Sequence, residues 1–242
     1  MPLNSIPPTT TVSNFEEKLR AADGKCFIDV AFWGGVVPDN VNDLKPLLKR
    51  GVKGFKCFLL ESGVSEFPCV TIEQAHRALL ELQGTRGVLL FHAELDIPPA
   101  VTVFMKYNFT KILAFMKNPI PSFLQTTRGD NNKYQTFLES RPPSMEDNAI
   151  REVINLCRKT KVPCHIVHLG SGNSVRSLEK AQKEGLPLTV ETCHHYLNLT
   201  SETIPDADAQ FKCCPPIREV CVQIGTIGTI GLIIILVHFF KF

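Results

Sequence analysis

The chain has 242 residues, of which 44% are hydrophobic, so it is long enough to bury a sizeable core. Its formal net charge is only +2, and no basic run is interleaved with aromatic residues, which argues against a nucleic-acid-binding protein. The nine cysteines are odd in number and contain no CxxC pair, so neither a zinc ribbon nor a disulfide framework is indicated. We therefore expect reduced thiols and an intracellular location, in the cytoplasm or the peroxisome.

Strand and helix patterns alternate from residue 25 to about residue 197. Short apolar runs rich in Val, Ile and Phe predict strands at residues 26–33, 52–59, 88–91, 164–169 and 188–193. Amphipathic stretches predict helices at residues 13–22, 41–49, 72–82, 145–159 and 174–184. Ser144 is a candidate N-cap for the fourth helix, while Gly51 and Gly185 follow two others as stop signals. This order predicts an α/β fold with a parallel sheet.

Two segments interrupt the alternation. Residues 97–129 contain no acidic residue and several prolines, and we interpret them first as an insertion. Residues 220–240 carry no formally charged residue, and this uncharged segment is long enough to form a helix that spans or contacts a membrane. Because Ile, Thr and Val also favour β structure, a buried strand is the alternative for this tail.

Three of the apolar runs end with a side chain that can bind metal: Lys56, His92 and His168. An isolated ammonium is costly to bury, so burial favours the neutral amine of lysine. A neutral amine can react with carbon dioxide to form a carbamate, which is an anionic ligand able to bridge two metal ions. The three residues predict half of a binuclear metal hydrolase site. His165 has the opposite strand parity from His168, and we expect it to be structural.

Five stretches carry a resemblance to a known family. The sequences GVKGFKCF (residues 51–58), ETCHHYL (191–197) and KCCPPIR (212–218) resemble the cyclic-amide branch of the amidohydrolase superfamily, most closely the allantoinase family. The stretches MPLNS (1–5) and FLESRP (137–142) fit the same family. The resemblance covers residues 1–95 and 131–219.

This resemblance implies a partial TIM barrel over residues 1–219, holding roughly strands three to seven and lacking the first and last strands. Residues 97–129 would be an atypical insertion in it. Residues 220–242 would be an apolar tail outside the family. Full-length members of the family are expected to form homo-oligomers.

The resemblance also implies a site and a reaction. Lys56 would be the carboxylated lysine that bridges two zinc ions, and His92 and His168 would bind the second zinc. Cobalt or manganese would suit the same ligands. The implied reaction is metal-assisted hydrolysis that opens the hydantoin ring of allantoin to allantoate, a step of purine catabolism.

The resemblance also concerns the substrate contacts, and it shows which metal ligands and catalytic residues of the family this sequence lacks. Asn4 and the backbone near Cys193 and Cys214 would contact the substrate. No HxH sequence is present for the first metal, and no Asp follows Asp208 to act as the catalytic acid and base. We therefore assign no catalytic residue, and we expect a fragment or truncated isoform that is inactive by itself. The alternatives are a dihydropyrimidinase or hydantoinase, and a non-catalytic membrane-associated isoform.

Overall fold

Five short parallel strands form one sheet that carries the candidate site. The computed structural model describes residues 1–96 and 129–219, and all elements are counted within these two ranges. The strands are β1 (Gly34–Gly35), β2 (Phe55–Phe58), β3 (Leu89–His92), β4 (Cys164–Ile166) and β5 (Leu188–Val190). They pair in chain order, and every pair is parallel. The predicted α/β fold with a parallel sheet is confirmed.

Seven α-helices accompany the sheet within the described ranges. They are α1 (Val12–Ala22), α2 (Leu44–Arg50), α3 (Ile72–Leu82), α4 (Tyr134–Ser140), α5 (Pro143–Thr160), α6 (Val175–Lys183) and α7 (His194–Asn198). Short 3₁₀ helices lie at Val41–Asp43, Gly172–Ser174, Ser201–Thr203 and Ala209–Phe211. Helix α3 has the predicted bounds. It begins at Ile72 because Thr71 and Gln74 form a reciprocal capping box there. The sequence patterns did not predict α4 and α7.

The strand predicted at residues 26–33 is wrong. Residues 26–30 are exposed, and the strand of this region is β1, which pairs with β2 in register at Phe55 and Lys56. A Cβ atom on Gly34 would lie 2.7 Å from the Phe55 ring, and one on Gly35 would lie 2.4 Å from the Phe67 ring. Close approach of the backbone, which only glycine permits, therefore decides where this strand forms.

The predicted N-cap Ser144 is also wrong. Helix α5 begins at Pro143 with Pro142 at the N-cap, so Ser144 lies within the first turn. Proline suits the first helical position, because its fixed φ is helical and its missing N–H would have no intrahelical partner there. The predicted stop signals are confirmed: Gly51 (φ 113°) caps α2, and Gly185 (φ 75°) follows the last residues of α6.

The two faces of the sheet have different chemistry. Side chains that alternate along β2 to β5, such as Phe55, Phe91 and Ile166, belong to the main hydrophobic cluster together with residues of the helices. Strand register places Lys56 beside Leu90, and Leu90 beside His165, on the other face. The polar side chains of the strands therefore point away from the helices, on the face that the family resemblance predicts to line the interior of a barrel.

A buried ion pair joins the last described segment to the start of α5. The Arg218 guanidinium donates to Glu146 Oε2 from Nε at 3.0 Å and from Nη2 at 2.7 Å. The other carboxylate oxygen accepts from the backbone N–H groups of Gly170 and Ser171, at 2.9 and 3.3 Å. Both ion-pair partners are about 1% exposed, so the bonds replace water almost completely.

A small hydrophobic cluster around α4 and α7 holds the same segment. Tyr134 donates its hydroxyl to the carbonyl of Ile217 and accepts from the Ile217 N–H, both at 3.0 Å. The Tyr196 hydroxyl donates to the carbonyl of Pro215 at 2.6 Å. The residues after Phe211 are therefore fixed by polar bonds from two buried tyrosines.

Within the described ranges, no helix combines the length and the apolar content needed to cross a membrane. The predicted insertion at 97–129, apart from Gly129, and the predicted tail at 220–242 lie outside these ranges.

The ion pair predicts an asymmetry between its two partners. Glu146→Gln leaves a buried guanidinium that cannot lose its proton, and at pH 9, where the Glu146 carboxyl of the wild type is ionised, we expect the free energy of unfolding to fall by about 3–5 kcal/mol. Arg218→Met leaves a carboxyl group that can take up a proton, and at pH 5 we expect a smaller loss of about 1–3 kcal/mol.

The pH dependence checks this explanation. Burial raises the pKa of Glu146 to about 7 against the opposing effect of Arg218, and loss of Arg218 raises that pKa further. A carboxyl group whose folded pKa is raised loses its stabilising contribution as the pH increases. Arg218→Met should therefore keep losing stability above pH 7, where the wild-type chain no longer does. Urea denaturation of both variants and the wild type at pH 5 and pH 9 measures these effects, and a loss in Arg218→Met that is the same at pH 5 and pH 9 would contradict the account.

Candidate metal centre

Lys56 is buried on the polar face of the sheet. It lies within β2, is 3% exposed, and forms no ion pair among residues 1–96 and 129–219. Its Nζ atom lies 4.0 Å from the centroid of the Phe58 ring, which is a cation–π distance. Burial lowers the pKa of Lys56 to about 7, although Cys57 and Glu191 oppose the shift. A substantial fraction of this lysine is therefore a neutral amine near pH 7.

Two histidine rings meet at the carboxyl ends of the neighbouring strands. His92 is the last residue of β3, and His168 lies two residues after β4. Their facing nitrogens, His92 Nδ1 and His168 Nε2, are 3.1 Å apart. Two nitrogens bound to one tetrahedral zinc ion lie roughly 3.3 Å apart, given bonds of about 2.0–2.1 Å. The rings therefore have nearly the separation that a shared metal ion requires.

His168 is held in an unusual backbone conformation. Its φ of 45° is left-handed, which is uncommon for a residue with a side chain. The flanking Val167 N–H donates to the Phe91 carbonyl at 3.2 Å, and the Leu169 N–H donates to the Glu191 carbonyl at 2.8 Å. Bonds to the strands on both sides thus fix this conformation, which turns the ring toward His92. Backbone strain of this kind is concentrated at functional sites.

A carboxylate and an arginine complete the surroundings of His92. Glu94 is fully buried, and its Oε2 atom lies 2.6 Å from His92 Nε2. Arg141 Nη1 donates to the same oxygen at 2.5 Å. The Phe58 ring stacks on the His92 ring with 4.7 Å between centroids and 18° between planes. The sequence patterns gave no role to Glu94 or Arg141; the only signals were that Arg141 lies in the stretch FLESRP and that Glu94 follows His92 by two residues.

Both histidine rings are in the neutral protonation state that a metal ligand requires. Burial, with the positive charges of Lys56 and Arg141, lowers the pKa of His92 well below its usual range. Burial and the neighbouring His92 do the same to the pKa of His168. Both rings are therefore neutral at pH 7, which is the form that binds metal. The His168 Nδ1 atom is buried without a hydrogen-bond partner in the described part of the chain.

Only part of a metal site is present. No group of three or more His, Cys, Asp and Glu side chains in the described ranges could hold a metal ion. The two histidines and Lys56 are therefore the available ligand set, and the lysine becomes an anionic ligand only as a carbamate. This set fits a metal ion, because it provides two neutral imidazoles at a suitable separation beside a buried lysine.

The other residues singled out in the sequence are the three predicted substrate contacts and His165. Asn4 is exposed in the N-terminal turn, Cys193 is buried at the N-cap of α7, and Cys214 is exposed before Pro215. Their contacts with a substrate stay predictions. His165 donates or accepts a hydrogen bond with Thr189 Oγ1 at 2.7 Å, which agrees with the structural role expected for it.

Solved structures identify the class of barrel. The fold matches L-hydantoinase (dihydropyrimidinase) from Arthrobacter aurescens with a TM-score of 0.76 and 25% identity, covering 96% of this chain and 48% of that one. D-Hydantoinase (dihydropyrimidinase) from Thermus sp. matches with a TM-score of 0.70 at 17% identity, which shows the fold alone. The described sheet therefore has the α/β fold of about half of such a hydantoinase chain.

Curated sequences narrow this class. The chain is 53% identical over 218 residues to the mitochondrial allantoinase of Aquarana catesbeiana, covering 90% of this chain and 40% of that protein. It is 45% identical over 222 residues to the allantoinase of Saccharomyces cerevisiae, again over 90% of this chain. No family model matches. The chain is a homologue of the allantoinases and spans less than half the length of these relatives.

The buried lysine predicts a cost in stability. We expect Lys56→Met to raise the free energy of unfolding of the metal-free chain at pH 7 by about 1–4 kcal/mol, because it removes a buried unpaired amine. A base whose folded pKa is lowered destabilises the fold most at low pH. The gain should therefore shrink as the pH rises from about 7 toward the ordinary lysine value of 10.5.

Urea denaturation between pH 6 and pH 10 measures this gain. The control is Lys53→Met, since Lys53 is exposed on the same stretch and its replacement should change stability little at any pH. A loss of stability in Lys56→Met, measured without metal, would show that the amine is not an isolated buried group.

Proposed function

We propose that this chain supplies the Lys56, His92 and His168 side of the metal site of an allantoinase, which hydrolyses the hydantoin ring of allantoin to allantoate. The observation that carries the proposal is the 3.1 Å separation of two neutral imidazole nitrogens beside a buried lysine. Homology to allantoinases at 53% and 45% identity supports the choice of substrate.

Each residue has a distinct part in this proposal. His92 and His168 would offer the lone pairs of their facing nitrogens, and the walls of the site keep both rings neutral. The amine of Lys56 would react with carbon dioxide, forming an N–C bond and releasing a proton, to give a carbamate that carries a negative charge. Zinc is the metal proposed, and when bound it would polarise the ring amide and lower the pKa of water.

The proposal concerns only part of the active site that the reaction needs. The 242 residues contain no HxH sequence and no acid after Glu219, so the first metal's histidines and the proton-carrying Asp of the family are not among them. We propose that this polypeptide by itself does not turn over allantoin. Its expected homo-oligomeric state and its compartment, cytoplasmic or peroxisomal, stay predictions.

A chimeric enzyme tests the function that these residues support. Residues 1–219 would replace the matching segment of the Aquarana catesbeiana allantoinase, which supplies the remaining strands. We expect the chimera to hydrolyse allantoin, and we expect Lys56→Met in the chimera to reduce kcat/KM by at least about 10³-fold, because a bridging ligand is lost. The isolated 242-residue chain is assayed beside it and should be inactive.

The chimera needs a control for the atypical segment. A second chimera keeps the relative's own sequence in place of residues 97–129, so that a failure caused by this segment can be recognised. Folded chimeras of both kinds that bind metal but leave allantoin unchanged would contradict the proposal. Zinc-dependent turnover by the isolated chain would contradict its predicted inactivity.

The alternative substrate class is supported by the structural match to the L-hydantoinase (dihydropyrimidinase) of Arthrobacter aurescens. Turnover of dihydrouracil in preference to allantoin by the chimera would favour it. The non-catalytic membrane-associated isoform rests on residues 220–242, which lie outside the described ranges.

A further inference from the structure

We propose that Glu94 and Arg141 act as a positioning pair that fixes the His92 ring and makes Nδ1 its metal-binding nitrogen. This inference deepens the proposed function and rests on it. Neither residue would touch the metal or the substrate. Both act through His92, by deciding which of its two nitrogens faces His168 and which carries the proton.

The shared oxygen of Glu94 decides the proton's position. Arg141 can only donate, so Glu94 Oε2 accepts the bond from its guanidinium. An oxygen that accepts from a cation is an acceptor for its second partner as well. We therefore assign the proton of the His92 ring to Nε2, which lies 2.6 Å from the same oxygen. The lone pair is then on Nδ1, the atom that faces His168.

The ring cannot easily adopt another orientation. One of its faces stacks on Phe58, and the ring as a whole is 4% exposed. A flip about the Cβ–Cγ bond would remove Nε2–H from Glu94 and leave a fully buried carboxylate oxygen with one donor fewer. The flip would also leave the buried Nε2–H without this acceptor, and a buried donor left unsatisfied costs about 1–3 kcal/mol, which favours the observed orientation by roughly fivefold or more.

The positioning pair is itself anchored. Arg141 follows α4, and its backbone carbonyl accepts a bond of 2.8 Å from Nη1 of Arg218. Arg218 is held in turn by Glu146, which also binds the backbone at Gly170, two residues after His168. A continuous chain of buried and partly buried polar bonds thus links the surroundings of both histidines. Their relative position depends on it, because short parallel strands alone do not fix the side chains at their ends.

Cobalt(II) titration of the 242-residue chain, followed by visible absorption, tests the pair. We expect Glu94→Ala to weaken cobalt binding by 10- to 100-fold, the range found when a histidine ligand loses its carboxylate partner. Glu94→Gln keeps an oxygen that can accept from Nε2–H, so it should recover part of the affinity. Thr189→Val is the matched control, since it removes the partner of His165, which is not a proposed ligand.

A second readout does not depend on metal. Two-bond ¹⁵N–¹H correlation spectra of histidine-labelled, metal-free chain report which ring nitrogen carries the proton, and His92→Gln assigns the signal. We expect the Nε2–H tautomer for His92 in the wild type, and a mixture of tautomers in Glu94→Ala. Circular dichroism confirms that each variant is folded.

The two readouts separate the possible failures. The Nδ1–H tautomer in the wild type would overturn the inference, and so would unchanged cobalt affinity in a folded Glu94→Ala. Absence of cobalt binding in the wild type, with the expected tautomer, would count against the metal site of the proposed function while supporting the action of Glu94 on His92.

Discussion

A buried arginine and a partly exposed one hold the candidate site together, and the rest of the described structure depends on them. Arg218 binds Glu146, while Arg141 binds Glu94, and the backbone of Arg141 accepts a bond from Arg218. These bonds join segments that are 47 to 77 residues apart in the chain. Because a guanidinium stays charged under all ordinary conditions, the network cannot be relieved by loss of a proton from either arginine. Its geometry therefore fixes the positions of the strand end that carries His92 and of the loop that carries His168.

The site is built at a cost to the fold. Lys56 is buried without an ion-pair partner in the described ranges, and both candidate histidines are buried in neutral form. His168 also has a left-handed backbone. A sheet that needed only to be stable would place apolar side chains at these positions, as it does on the face that packs against the helices. A metal ion that binds the folded state and not the unfolded state would offset part of the cost of burying these groups. Stability and metal binding are therefore thermodynamically linked.

Local sequence predicted most of the sheet and the three candidate ligands. Lys56, His92 and His168 were found because each is at or near the end of a short apolar run, so the signal lies within a few residues. The first strand was misplaced because β1 depends on glycines that admit the Phe55 and Phe67 rings, not on the apolar run before it. The roles of Glu94 and Arg141 could not be predicted, since the bond between them joins residues 47 positions apart in the chain. Motifs that carried the family resemblance nevertheless contain Arg141 and Arg218.

The central claim is that His92 and His168 share one metal ion beside Lys56. Anomalous diffraction at the zinc absorption edge, on crystals of the 242-residue chain grown with zinc, tests it directly. The account predicts a zinc peak bonded to Nδ1 of His92 and Nε2 of His168, with Nε2 of His92 still bound to Glu94. A zinc ion bound elsewhere, with the two rings unchanged, would contradict it.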